Sequence, residues 1–370
     1  MKVLHCIPGM GGGGAERQLT YVAAPLIARG WDVHVALHAG GPNLDRLEAS
    51  GAVIHTLKSV TSYDPRLPLQ LANIVRRVTP DLVQVWFVQM DVFAGAVASL
   101  LGKPWILSER SSVLAYPPTW KNRLRVAMAR RADAIISNSA GGDAYWKARV
   151  GPEVLRFVID NAAPVDDIDR ARAGVPRGIQ LHDDEAVVLA MGRFGPEKNL
   201  ARVVAALHRV VQRPRTIAII AGDGPLRPQI ARDIDGAGLS EKILTPGYVA
   251  DIWPLLKRAD VVVAAGMFEG RPNAVVEAMA AGRPVVVSDI PAHREILDEE
   301  SAVWVDPRDT DAIAAAVLNV LADPVTANAL AISARARTRH WSAAAVAAEY
   351  DAAYRRVLER RRMPSMESAV

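Results

Sequence analysis

The chain of 370 residues has one cysteine, Cys6, which excludes an intramolecular disulfide framework. Cys6 falls in the first apolar strand pattern and reads as an inert core residue. No cysteine/histidine cluster has zinc spacing, and no Ser-His-Asp order or nucleophile elbow is present. No apolar run reaches the ~18 residues of a spanning helix. No secretory signal is read ahead of the body, because residues 1–7 run straight into a glycine-rich turn, so a cytoplasmic protein is expected. Low-complexity tracts and close internal repeats are lacking too. The formal charge of +4 is too small to identify a nucleic-acid partner, and none is expected.

What is present suits a large two-domain α/β enzyme. Half the residues are hydrophobic (50%), enough for two cores. Strand patterns recur at 3–7, 32–37, 53–57, 82–86, 104–108, 134–137 and 155–159, with helical patterns such as 17–29 and 67–77 between them. A second series runs 187–191, 216–221, 243–245, 261–264, 284–288 and 302–305. Alternation of this kind predicts one parallel sheet per half, with helices on both faces. Residues 164–185, rich in Asp, Gly, Pro and Arg, mark the boundary. The expected domains are 1–165 and 185–341.

The most informative stretch is 269–287. It reads as a loop, a short helix entered at Pro272 and Asn273, a glycine turn and a buried strand. The free N–H groups of a helix entrance attract anions, which makes Arg271, Pro272, Asn273 and Ala274 candidate phosphate holders. Glu269 in the loop can hold sugar hydroxyls, and Glu277, with seven residues between, can bridge a ribose. Taken alone, Glu277 is as well an ordinary helix-face carboxylate. Upstream, the apolar run 187–191 ends in a glycine turn flanked by Arg193 and Lys198. Two cations at the carboxyl edge of a parallel sheet suit a diphosphate, one as a planar fork and one as a point charge.

These segments, with Ala221-Gly222-Asp223-Gly224-Pro225-Leu226 and Pro246-Gly247-Tyr248-Val249, resemble the retaining glycosyltransferases of family 4 across most of 186–305. The first half resembles them more loosely, through Gly11-Gly12-Gly13-Gly14-Ala15-Glu16 and Asn138-Ser139. The resemblance implies the GT-B architecture: two Rossmann-like parallel-sheet domains facing a cleft, and a last helix, 342–362, crossing back to the first domain. It implies Arg193, Lys198 and Glu269 as catalytic residues, with Glu277 on the ribose and Tyr248 and Val249 lining the base. Gly11, Gly12, Gly13, Gly14, Glu16, Glu109, Arg110 and Asn138 would edge the acceptor side. Where much of the family carries a histidine near the reacting sugar, this chain has Ser108, Glu109 and Arg110. Glu109 and Arg110 would pair with each other, bind the acceptor or position the sugar. Asn138 and Ser139 would equally cap the following helix.

Gly9, Gly11 and Gly14 also fit a dinucleotide fingerprint, but the second strand ends in Ala36-Leu37-His38-Ala39 without the required acid. Three D-x-D pairs (Asp167/Asp169, Asp233/Asp235, Asp309/Asp311) lie away from strand ends, so neither metal nor cofactor is expected. A basic amphipathic stretch, 120–131, and the cluster Arg355, Arg356, Arg360, Arg361, Arg362 would fit an anionic membrane surface. The competing reading of 120–131 is a domain helix with its apolar stripe packed inward. The expected function is therefore transfer of a sugar from a UDP- or GDP-activated donor to a glycan or lipid-linked acceptor. The expected place is the cytoplasm, with peripheral attachment at the inner face of the cell membrane. A nucleotide-sugar epimerase of the same fold and a non-catalytic membrane-associated binding protein are the alternatives.

Overall fold

Runs of Val, Ile and Leu bounded by turns become strands buried on both faces, and the amphipathic segments between them cover those faces. The computed structural model describes residues 1–363 except 60, 62, 112, 113 and 115. Its first part runs β1 (Lys2–Cys6), α1 (Gly14–Ala28), β2 (Asp32–Leu37), α2 (Leu44–Ala49), β3 (Val53–Thr56), α3 (Leu67–Val78), β4 (Leu82–Trp86), α4 (Phe87–Leu100), β5 (Trp105–Glu109), α5 (Trp120–Ala129), β6 (Ala134–Ser137), α6 (Ala140–Lys147) and β7 (Leu155–Val158). These strands form one seven-stranded sheet in the order β3-β2-β1-β4-β5-β6-β7, with every pair parallel.

The second part runs α7 (Val165–Arg170), β8 (Ala186–Met191), α8 (Leu200–Val210), β9 (Thr216–Ala221), α9 (Arg227–Gly236), β10 (Ile243–Gly247), α10 (Trp253–Arg258), β11 (Val261–Ala264), α11 (Asn273–Ala280), β12 (Val285–Ser288), α12 (Pro291–Arg294), β13 (Val303–Val305), α13 (Thr310–Ala322) and α14 (Pro324–Arg337). Its six-stranded sheet is also parallel, in the order β10-β9-β8-β11-β12-β13. Pro246 sits on β10, an edge strand, where a missing N–H costs nothing in the ladder. All the strands expected from the sequence form, each within two residues of the expected bounds.

The chain divides into two units. The first comprises Met1–Ala162 and Ala343–Val370, and the second Ala163–Ser342. Residues 164–185 are not structureless: they hold α7, whose Ile168 is buried and which contacts α10 and α11. One buried residue in a short acidic helix leaves no periodicity to read.

The last helix, α15 (Ala343–Arg362), belongs to the first unit and packs on α1. It buries Val346, Ala347, Tyr350, Ala353, Tyr354, Val357 and Leu358, a stripe at helical spacing. Trp31 Nε1 donates to Asp351 at 2.8 Å, and the Tyr354 hydroxyl donates to Gln84. A chain end invites fraying at the last residues, and these lie outside the described ones.

Candidate active site

In an open parallel sheet, ligands sit outside the carboxyl ends of the strands where the strand order reverses. In the second unit that point falls between β8 and β11. Gly192 follows β8 with φ of +142°, and a Cβ there would lie 3.2 Å from Lys198 Cε. The bare glycine thus leaves room for the lysine to fold back over the turn. Gly222, after β9, has φ of +145°, and a Cβ on it would lie 1.8 Å from the Gly192 carbonyl oxygen. The two turns meet backbone to backbone, which only glycine permits.

The β8 turn is pinned to its neighbours. Asn199, in the left-handed region at φ 55°, donates from Nδ2 to the carbonyls of Ala265 (3.0 Å) and Pro307 (2.7 Å). The Met267 N–H donates to the Glu197 carbonyl at 2.8 Å. Lys198 and Glu269 are thereby brought together, Nζ to Oε1 at 2.5 Å, with both side chains largely screened from solvent. Arg193 does not join them. Its guanidinium donates to Glu197 Oε1 at 3.0 and 2.8 Å and stays exposed.

Helix α11 opens behind this pair. The Val275 and Val276 N–H groups each donate to the Pro272 carbonyl at 3.0 Å, and among the described residues no backbone carbonyl accepts from the Ala274 N–H. Asn273 is the first helical residue and its N–H donates to the Arg271 carbonyl. Glu277 is buried about one turn into this helix, and Arg271 is buried with its guanidinium over the Trp341 ring at 4.5 Å. Tyr248 is exposed and Val249 half-buried just beyond β10.

His293, which the sequence reading passed over, completes the floor. It is buried, and its Nδ1 lies 2.8 Å from the Ser288 carbonyl oxygen. The Ser288 hydroxyl in turn donates to the Gly266 carbonyl at 2.6 Å, tying down the loop that carries Glu269. Burial first, and Lys198 second among the charges opposing protonation, hold the imidazole below its ordinary pKa and so neutral. A histidine five residues beyond an apolar strand end was the available signal.

In the first unit the strand order reverses between β1 and β4. The glycine-rich turn follows β1: Gly13 is the N-cap of α1 and Gly14 its first residue. Asn43 Nδ2 donates to the Gly11 carbonyl, and the Glu16 carboxylate folds back so that a Cβ on Gly13 would lie 2.4 Å from Glu16 Oε2. Burial raises the Glu16 pKa. Gly12 lies in the same turn, exposed. Across the reversal point Phe87 holds φ at 68°, a strained state for a bulky residue. Near it His38 Nε2 is 3.2 Å from Gln89 Oε1. Nothing in sequence periodicity announces a backbone angle.

Glu109 and Arg110 do not pair with each other. Glu109 is fully buried and accepts from Tyr116 (2.7 Å), the Ser111 N–H (2.8 Å) and Trp146 Nε1 (2.9 Å), with Arg125 Nη1 at 3.1 Å. Arg110 stacks over Trp86 at 4.5 Å and donates to Asn161 and to the Tyr350 hydroxyl. Asn138 is buried, its N–H donating to the Glu109 carbonyl at 3.2 Å, and the helix cap falls to Ser139, which accepts from Gly142 at 3.1 Å. His5 accepts from Trp86 Nε1, and burial lowers its pKa to about 3. Among the described residues no group of three His, Cys, Asp or Glu could hold a metal ion.

Residues 175–337 match the family of glycosyl transferases group 1, and residues 12–164 match glycosyltransferase family 4. A GDP-mannose-dependent alpha-(1-6)-phosphatidylinositol monomannoside mannosyltransferase of Mycolicibacterium smegmatis is 33% identical over 262 residues, 58% of this chain and 67% of that one. The chain belongs to glycosyltransferase family 4. The family 4 protein is also 27% identical, over 333 residues, to the lipopolysaccharide core biosynthesis glycosyltransferase LpsE of Rhizobium meliloti, covering 87% of this chain and 89% of that one. Among solved structures, Anabaena Alr3699/HepE in complex with UDP and glucose superimposes with a TM-score of 0.82 at 21% identity, over 96% of this chain and 100% of that one. At that identity the likeness is one of fold, and the fold is GT-B. The protein is a glycosyltransferase.

Proposed function

We propose that this family 4 enzyme is a retaining, metal-independent hexosyltransferase that takes a UDP- or GDP-sugar and glycosylates a hydroxyl of a glycan or lipid-linked acceptor. The observation that carries the reading is the Lys198–Glu269 pair between the carboxyl ends of β8 and β11. Lys198 would release Glu269 to neutralise the leaving diphosphate, helped by Arg193 and by the Ala274 N–H at the start of α11. Glu269 would then hold the sugar, and the buried Glu277 the ribose. With a lysine and an arginine on the diphosphate, the charge stabilisation a metal supplies elsewhere comes from side chains. The C–O bond to the diphosphate breaks while the acceptor oxygen bonds to the same face of the sugar, its proton passing to the departing diphosphate oxygen, and no covalent nucleophile is assigned.

The relatives support the classes of donor and acceptor. The mycobacterial relative is named for GDP-mannose and a phosphatidylinositol mannoside, and the rhizobial one for the lipopolysaccharide core. The HepE structures hold UDP, glucose and UDP-glucose. With acceptors of these kinds the reaction would run at the inner face of the cell membrane, and the first unit would hold the acceptor around Gly11–Gly14.

A thermal-shift panel of UDP, GDP, ADP and NAD, each with magnesium and with chelator, tests the reading. A ligand that binds only the folded state at about a hundred times its Kd adds about 2.7 kcal/mol of stability. The expected result is a shift with UDP or GDP that survives chelation. A shift with NAD alone would overturn it, and one that vanishes with chelator would remove metal independence.

A further inference from the structure

Helix α5 presents two unlike faces. Inward, Arg125, Met128 and Ala129 are buried, and the Arg125 guanidinium is held by Asp91 (2.5 Å) and Glu109 (3.1 Å). Outward, Trp120 is 68% exposed and Leu124 40% exposed, and Arg123, Ala127 and Arg131 are exposed with them. Positions 120, 123, 124 and 127 share one helical face, and Arg131 follows in the turn just beyond the helix. The structure therefore splits the apolar stripe that the sequence would pack inward: Met128 and Ala129 enter the core, while Trp120 and Leu124 face solvent. Just upstream Leu114 is 66% exposed.

The charge on this face has one sign. Residues 110–132 contain no Asp or Glu; Asp91 and Glu109, which pack against α5, are buried and held by Arg125, and Asp133, just beyond, is taken by Arg361. Lys121 stands over the Tyr63 ring at 4.3 Å, with no carboxylate partner among the described residues. A second basic segment joins from the far end of the sequence. Arg361 donates to Asp133, which brings the end of α15, with Arg360 exposed, beside Arg130 and Arg131. Within the first unit, the end of α15 thereby adjoins the end of the 120–131 stretch.

We propose that this face of the first unit docks on an anionic lipid bilayer. Trp120 and Leu124 enter the headgroup region, while Lys121, Arg123, Arg131 and Arg360 meet lipid phosphates. An exposed tryptophan belongs at such an interface, and each basic side chain near an anionic surface adds to the attraction. A water-facing solubilising surface would carry both signs of charge and no such aromatic. The inference deepens the lipid-linked acceptor reading by naming the surface involved, and its test needs neither donor nor transfer.

The full-length protein is sedimented with vesicles of phosphatidylcholine, or of phosphatidylcholine with about one third phosphatidylglycerol. Wild type should partition onto the anionic vesicles and little onto the neutral ones. The double variants Trp120→Ser/Leu124→Ser and Arg123→Glu/Arg131→Glu should each weaken that partition by about tenfold or more. Both should keep the wild-type thermal midpoint and nucleotide shift, because the changed side chains are exposed. Trp120→Phe should remove the fluorescence blue shift seen when vesicles are added to wild type. Equal binding by the variants, or no binding of wild type to anionic vesicles, would overturn the proposal, whether or not the nucleotide panel succeeds. Absence of vesicle binding is also what a protein partner for this face would produce.

Discussion

Lys198→Ala is expected to lower kcat by about a hundred- to a thousandfold, the usual effect of removing one donor to a developing anion. Its Nζ now rests 2.5 Å from Glu269 Oε1, so the donor diphosphate must draw it away from that carboxylate. Loss of the lysine should also weaken binding of the nucleoside diphosphate that shifts the thermal midpoint. Loss of the lysine leaves a mostly buried Glu269 unpaired, so stability should fall by about 1–3 kcal/mol without unfolding the protein. Glu269→Gln separates the two roles. It frees Lys198, so nucleotide binding should hold or tighten while turnover falls by a similar factor. Steady-state kinetics and nucleotide titration of the two variants check this, and undiminished turnover in Lys198→Ala would remove the diphosphate role.

Arg125→Met should destabilise the first unit by about 3–5 kcal/mol, the range seen when one partner of a buried charge cluster is removed. Burial opposes the Arg125 charge, but Glu109 and Asp91 beside it outweigh that and raise its pKa. Tyr116 and Trp146 stack on the guanidinium, with its carbon 4.4 and 5.0 Å from their ring centres. Methionine keeps the apolar stem and leaves two acids in the core. A denaturant midpoint lowered by less than about 1 kcal/mol would show that the cluster is not needed.

The same cluster makes a pH prediction. With both acids ionised it carries one net negative charge, and one retained proton makes it neutral. Burial pushes Asp91 from 3.8 up to about 7, against the pull of Arg125. A carboxyl whose pKa is higher in the folded state stabilises the fold fully below its unfolded value. That contribution is lost as pH rises from about 4 to about 7. Measured against Asp91→Asn, wild type should therefore lose stability through that window. Parallel curves would mean that Asp91 stays ionised.

Residues whose chemistry depends on neighbours in sequence were legible. Lys198 and Glu269 sit in the segments that follow apolar strands, and Ala274 in the first turn of the helix after the second of them, so the strand pattern carried them to the carboxyl edge. Glu109 and Arg110 were not legible in the same way. Their strand end was right, but their partners Arg125, Trp146, Asn161 and Tyr350 come from distant segments, and burial rather than exposure resulted. Arg193 fell to the nearer Glu197, four residues on, because a local carboxylate meets a flexible guanidinium more readily than one seventy residues away. α5 shows the reverse limit. Its periodicity was visible, but which of its apolar residues faced inward depended on the buried acids that claim Arg125.

The first unit is discontinuous in sequence, and this orders its assembly on the ribosome. Residues 163–342 can close on themselves once translated, since the Ala163 N–H donates to the Trp341 carbonyl at 2.6 Å and their backbone ends meet there. The earlier-made sheet has no such freedom. Trp31, Gln84 and Arg110 wait for Asp351, Tyr354 and Tyr350, which emerge only after the whole intervening unit has been synthesised. The half of the molecule that is made first is the last to be finished, with its α1 face uncovered in the interval.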